Sequence, residues 1–123
     1  MQAFQTIFEE YGADYAGAMG RFMNNEGLYV RLLGMLFQDD NLENLGAALE
    51  MNDLGTAFEA AHTLKGVVGN LGLTPLYQAL EKLVEPLRAG KKREDYPALY
   101  GDVQTEFRRA EAFWEELKGV RQV

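Results

Sequence analysis

The chain has no cysteine and no serine, and its only histidine is His62. Without cysteine there can be no disulfide and no thiolate metal site, a composition that fits a reducing compartment. Without serine, the side-chain hydroxyls are those of Thr6, Thr56, Thr63, Thr74, Thr105 and the tyrosines. No nucleophile-elbow pattern surrounds them, so a Ser-His-Asp device has nothing to be built from. One imidazole without thiolates also leaves zinc short of ligands. Cations are scarce: 12 Lys+Arg stand against 19 Asp+Glu, a formal net charge of −7. That balance argues against a nucleic-acid partner, which requires clustered cations. No apolar run reaches the length of a membrane span. The start, Met1-Gln2-Ala3-Phe4 with acidic residues close behind, resembles neither a signal nor a transit peptide. The expectation is a stand-alone cytoplasmic protein with no membrane contact.

What remains is a chain of 123 residues, 47% hydrophobic and 25% charged, enough for a single domain over 1–123 with one core. Nothing alternates with period two over a useful length, and apolar residues recur instead at three and four. Phe4, Ile7, Phe8 and Tyr11 mark a first helix stopped by Gly12, and Asp14 caps a second carrying Tyr15, Met19 and Phe22. After Asn24-Asn25 come Leu28, Leu32, Leu36 and Phe37. Asp40 and Glu43, at capping-box spacing, then open a helix with Leu42, Leu45 and Leu49. Asp53 caps a fifth helix that should run to about Leu71, before Gly72. Thr74, as cap, and Pro75 open the next helix, with Leu76, Leu80, Leu83 and Leu87 as its seam, a kink at Pro86, and Gly90 as its stop. Lys91-Lys92-Arg93 then lies at the negative end of the helix dipole. The last helix opens at Asp95 and Pro97 and repeats Tyr96, Leu99, Val103, Phe107, Ala110, Trp114 and Leu117, with Gly119 beyond its end. Met19, Met23, Met35 and Met51 fall near apolar stripes and read as core filling. Short connections between such helices predict an all-α, antiparallel up-down four-helix bundle over 28–118, with additional N-terminal helices in an extension over 1–24.

The fifth helix is unusual in its composition. Leu54, Ala57, Ala61, Leu64, Val68 and Leu71 form its seam, and His62 points about 130° away from the middle of it. Gly55, Gly66 and Gly69 share the histidine side, flanked by Phe58, Glu59 and Lys65. Each helical glycine costs about 1 kcal/mol relative to alanine. The stripe therefore admits two readings: a shallow depression open to a macromolecule, or glycines scattered through a weak helix. Glu59-Ala60-Ala61-His62 has the Glu-x-x-His spacing of di-iron bundles, but those sites need a second such pair and this chain has no second histidine. Glu9-Glu10, Asp39-Asp40 and Glu115-Glu116 read as solvated surface. An imidazole in water titrates near neutrality, so a nucleophilic nitrogen is available at cellular pH. Lys65, on the adjacent face, could meet an anion carried there. Once metal, triad and nucleic-acid readings fall away, His62 is left as the chemical group.

Ala61-His62-Thr63-Leu64-Lys65-Gly66, followed by Leu71-Gly72, resembles the signature of the histidine phosphotransfer (HPt) domains of multistep two-component relays. The resemblance spans about Leu28 to Leu117 and leaves the first two dozen residues outside. It implies His62 as phosphoacceptor through Nε2, Lys65 as holder of the phosphoryl oxygens, and Gly66 as clearance for the partner. It also implies a small residue at Gly69 and a polar or basic one near the phosphate at Arg88, whereas Val84 departs from the glutamine of some members. The implied activity is a shuttle between the aspartates of response-regulator receiver domains, with a hybrid sensor histidine kinase as a possible source. Magnesium would belong to the receiver, and this chain would need no cofactor of its own. Docking would use the His62 stripe with Phe58, Glu59 and Gly69 around it, on a monomer. The chain has no ATP-binding signature, so a phosphocarrier rather than an enzyme is expected. The alternatives are a binding module that docks a receiver without accepting phosphate, and a purely structural bundle.

Overall fold

Helices form where apolar residues recur at three and four, and they stop where a capping side chain or a residue with positive φ stands. The computed structural model describes residues 3–121. They form α1 (Ala3–Tyr11), α2 (Tyr15–Arg21), α3 (Glu26–Leu36), α4 (Asn41–Glu50), α5 (Leu54–Asn70), α6 (Thr74–Arg88) and α7 (Tyr96–Arg121), with no strand among the described residues. Asp14 accepts from the Gly17 N–H at 3.0 Å, Asn25 from Leu28 at 3.0 Å, and Asp53 from Thr56 at 3.1 Å. Each satisfies an amide that the first turn leaves unpaired. Gly72 (φ +71°) and Gly90 (φ +66°) take the left-handed turns that close α5 and α6.

Three expected boundaries shift. Asp40 has helical dihedrals and makes no cap bond; Asp39 accepts from the Asn41 N–H at 2.9 Å instead. Thr74 already lies inside α6, where Leu73 occupies the cap without a side-chain bond. Gly119 does not stop α7, because packing upstream carries the helix on to Arg121.

Successive helices α4, α5, α6 and α7 pack on one another, and α7 returns to α4. The connections 51–53 and 71–73 are too short for packed neighbours to run parallel, so the four are antiparallel. On the outer side of α7 lie α1 and α3, with α2 against α1. Phe8 of α1 is fully buried, edge-on to Phe113 at 5.0 Å and to Tyr15 at 5.2 Å. Burial of such a ring stabilises by about 1.5–3 kcal/mol. Two close approaches fix α7 to its neighbours. The indole of Trp114 donates to the Val30 carbonyl at 3.0 Å, and the Tyr100 hydroxyl to the Leu42 carbonyl at 2.9 Å.

The buried face of α3 is Tyr29, Leu33 and Leu36, while Leu28 and Leu32 are half-buried. The seam is thus turned by one residue from the expected one, because Tyr29 must reach the end of α5. Phe113 joins the buried face of α7, and Trp114 is only partly covered. Of the methionines expected to fill the core, Met19 does so. Met23, Met35 and Met51 are 79%, 59% and 79% exposed. Met23 and Met51 sit in turns, and Met35 is on the outer face of α3.

The C-terminal end of α5 is held by the segment that precedes the bundle. Arg21 donates to the Asn70 carbonyl at 2.8 Å and to the Gly69 carbonyl at 3.1 Å. The Tyr29 hydroxyl donates to Leu71 at 2.6 Å, and the Asp14 amide to Gly72 at 3.1 Å. Four consecutive carbonyls at a helix end, where intrahelical donors run out, accept from this segment, and those of Gly69 and Gly72 accept also from the Gly72 and Thr74 amides.

Candidate functional site

On α5 the buried residues are Ala57, Ala60, Ala61, Leu64 and Val68, with Leu71 just beyond the helix. This leaves His62 on the opposite, exposed side of the same helix. The site is convex. One cavity of about 470 Å³ runs between α4 and α5 and is lined by Glu59 and Thr63; another of about 570 Å³ lies beside Val67 and Asn70. Neither includes His62.

The imidazole stacks on the ring of Phe58, one turn earlier, with centroids 5.3 Å apart and planes at 16°. Across to α6, the Arg88 guanidinium lies 5.2 Å from the centre of the same Phe58 ring and 3.7 Å from Glu85. Arg88 therefore reaches the site through Phe58. Glu59 is exposed and faces the α4 side of the histidine.

Lys65 is not free in solvent. Its side chain is only 15% exposed, with Nζ 3.8 Å from a Glu81 carboxylate oxygen and 5.3 Å from the centre of the Tyr77 ring. Both partners come from α6. Residues 77 and 81 are one turn apart beside the Leu76–Leu80 seam, and only the α5–α6 packing shows that they meet Lys65.

The glycines of the stripe are not alike. A Cβ on Gly66 would meet no heavy atom of the described residues within 4 Å outside its own helix backbone, and one on Gly55 only the Asp53 carboxylate at 3.9 Å. A Cβ on Gly69 would lie 3.1 Å from the Tyr77 ring. Gly69 thus makes room for a residue of α6, whereas Gly66 leaves open space next to the histidine. No cluster of three or more His, Cys, Asp or Glu side chains able to hold a metal occurs among the described residues. No helix among them is long and apolar enough to cross a membrane.

A family model described as "Hpt domain" matches residues 31–118, which covers most of α3 and all of α4 to α6, with α7 up to Lys118. No curated protein and no solved structure matches the chain.

Proposed function

The chain belongs to the Hpt domain family, phosphocarrier modules that interact with response-regulator receivers in phosphorelays, and from that premise we propose that His62 accepts and passes on the phosphoryl group. The observation that carries this is the pairing of an exposed imidazole with unfilled space at Gly66 on the next turn. A receiver's aspartyl phosphate can approach there without displacing anything.

His62 Nε2 attacks the phosphorus in line with the leaving carboxylate. The N–P bond forms as the O–P bond breaks, and the electron pair of that bond stays on the receiver's aspartate. The reverse sequence delivers the group to a second receiver. Phosphoryl transfer depends on position and charge neutralisation more than on covalent help. Phe58 holds one face of the imidazole and so restricts its rotation. Lys65 supplies a cation to the phosphoryl oxygens, and magnesium is carried by the receiver. The exposed α5 face suits a transient complex at the small end of specific interfaces.

The test is transfer from a phosphorylated receiver to this chain. The expected product is labelled protein whose phosphate is acid-labile and base-stable, as a phosphoramidate is. His62→Gln should take no label. Receiver binding by the wild type without any transfer would instead assign a docking module, and label persisting in His62→Gln would move the site elsewhere.

A further inference from the structure

We propose that Tyr77 and Glu81 form a seat for the Lys65 ammonium on α6, and that Glu81, by competing for Lys65, sets how firmly the phosphoryl group is held. This rests on His62 as the phosphoacceptor. The seat is built from both helices. Gly69 lacks the Cβ that would press on Tyr77 at 3.1 Å, so the ring lies against α5. The ammonium sits 5.3 Å from the centre of that ring, an attractive cation–π geometry. Glu81, one turn further along α6, faces it at 3.8 Å.

The two contacts differ in what they can do. The Tyr77 ring holds the ammonium by a short-range attraction that stays in place whichever anion the lysine faces. Glu81 is 52% exposed and its ion pair is long, so the pair is weak and readily exchanged. A phosphoryl group on His62 brings nearly two negative charges and three acceptor oxygens within a turn of Lys65. The ammonium then trades a single solvated carboxylate for the phosphoryl oxygens. Whatever Glu81 contributed before transfer is lost on phosphorylation, so the phosphohistidine is less stable than Lys65 alone would make it. Glu81 thereby keeps it a better donor to the next receiver. It is a positioning residue and acts through Lys65.

The experiment is the equilibrium partition of phosphate between a purified receiver and this protein, in the wild type, Glu81→Gln, Lys65→Ala and the double variant. Glu81→Gln should shift the partition toward phosphohistidine by about two- to fivefold, the range that an exposed ion pair supplies. In the Lys65→Ala background the same change should have no effect. An unchanged partition in Glu81→Gln overturns the proposal. So does an equal shift in both backgrounds, which would mean that Glu81 acts on the phosphate directly. In parallel, the Lys65 side-chain nitrogen resonance should move on Glu81→Gln, and again when the wild type is phosphorylated with phosphoramidate. A resonance that ignores both removes the seat. A wild type that takes phosphate from neither source shows a different failure, that of the His62 assignment, and the proposal falls with it.

Discussion

Gly66 weakens its own helix by about 1 kcal/mol relative to alanine, and among the described residues nothing packs closely against it. Gly66→Ala should therefore raise the unfolding free energy by up to about 1 kcal/mol in a thermal melt. Gly66→Gln should keep native circular dichroism yet lower the transfer rate from a phosphorylated receiver by about tenfold, the loss of one central contact of an interface. Normal transfer by that variant would remove the clearance argument. The exposure of His62 and the open space at Gly66 were legible in the sequence because one helical rotation places both away from a clear seam, while the roles proposed for them and for Lys65 came from the motif. Tyr77 and Glu81 were not legible there. Their relation to Lys65 depends on how α5 and α6 cross, which no spacing within either helix encodes. The role of Gly69 was hidden for the same reason: the ring that fills its space comes from the neighbouring helix.

Among the elements, the helix that carries His62 starts on a titrating cap. The Asp53 carboxyl is held below its ordinary value, first by the Thr56 hydroxyl hydrogen bond at 2.7 Å and then by the Thr56 amide. Because the folded value is depressed, its contribution is fully present above the ordinary value of 3.8 and is lost as pH falls through the lower folded one. Asp53→Asn keeps an amide acceptor but cannot titrate. Between neutral pH and pH about 3 the wild type should lose more melting temperature than Asp53→Asn, as scanning calorimetry at the two pH values would report. Equal losses would assign the acid sensitivity to other carboxylates. Caps also show where sequence reading stops. Asp14 and Asp53 cap as their positions imply, whereas the capping-box spacing pointed to Asp40 and the bond is made by Asp39. The seam of α6 was plain, since four leucines at three-and-four spacing leave one solution. That of α3 was misplaced by one residue: Leu28 and Leu32 were expected inside, whereas Tyr29 and Leu33 are buried and Tyr29 donates to Leu71 beyond α5.

Across the whole molecule, the segment before the bundle does more than lengthen it. Phe4, Phe8 and Tyr11 enter the common core, and Tyr11 stacks on Phe113 with centroids 4.5 Å apart. The periodicity of these residues showed a helix but not its partner, since α1 finds α7 from the far end of the chain. Tyr29→Phe tests the tie between this segment and the histidine helix. It removes the buried donor at 2.6 Å and leaves the Leu71 carbonyl unsatisfied, which should cost about 1 kcal/mol. The melting temperature should fall by roughly 4 °C for a chain of this size. A melt unchanged from the wild type would mean that water replaces the hydroxyl.

The four carbonyls closed off by Asp14, Arg21 and Tyr29 have a consequence for the timing of motion. A helix terminus ordinarily opens and closes on its own, exchanging its amide hydrogens far sooner than the interior. Here the last turn of α5 cannot loosen unless α2 and α3 release it, so its amides should exchange together with those of the core. The end of α5 thus keeps little conformational freedom, the state in which a surface has least to surrender on binding.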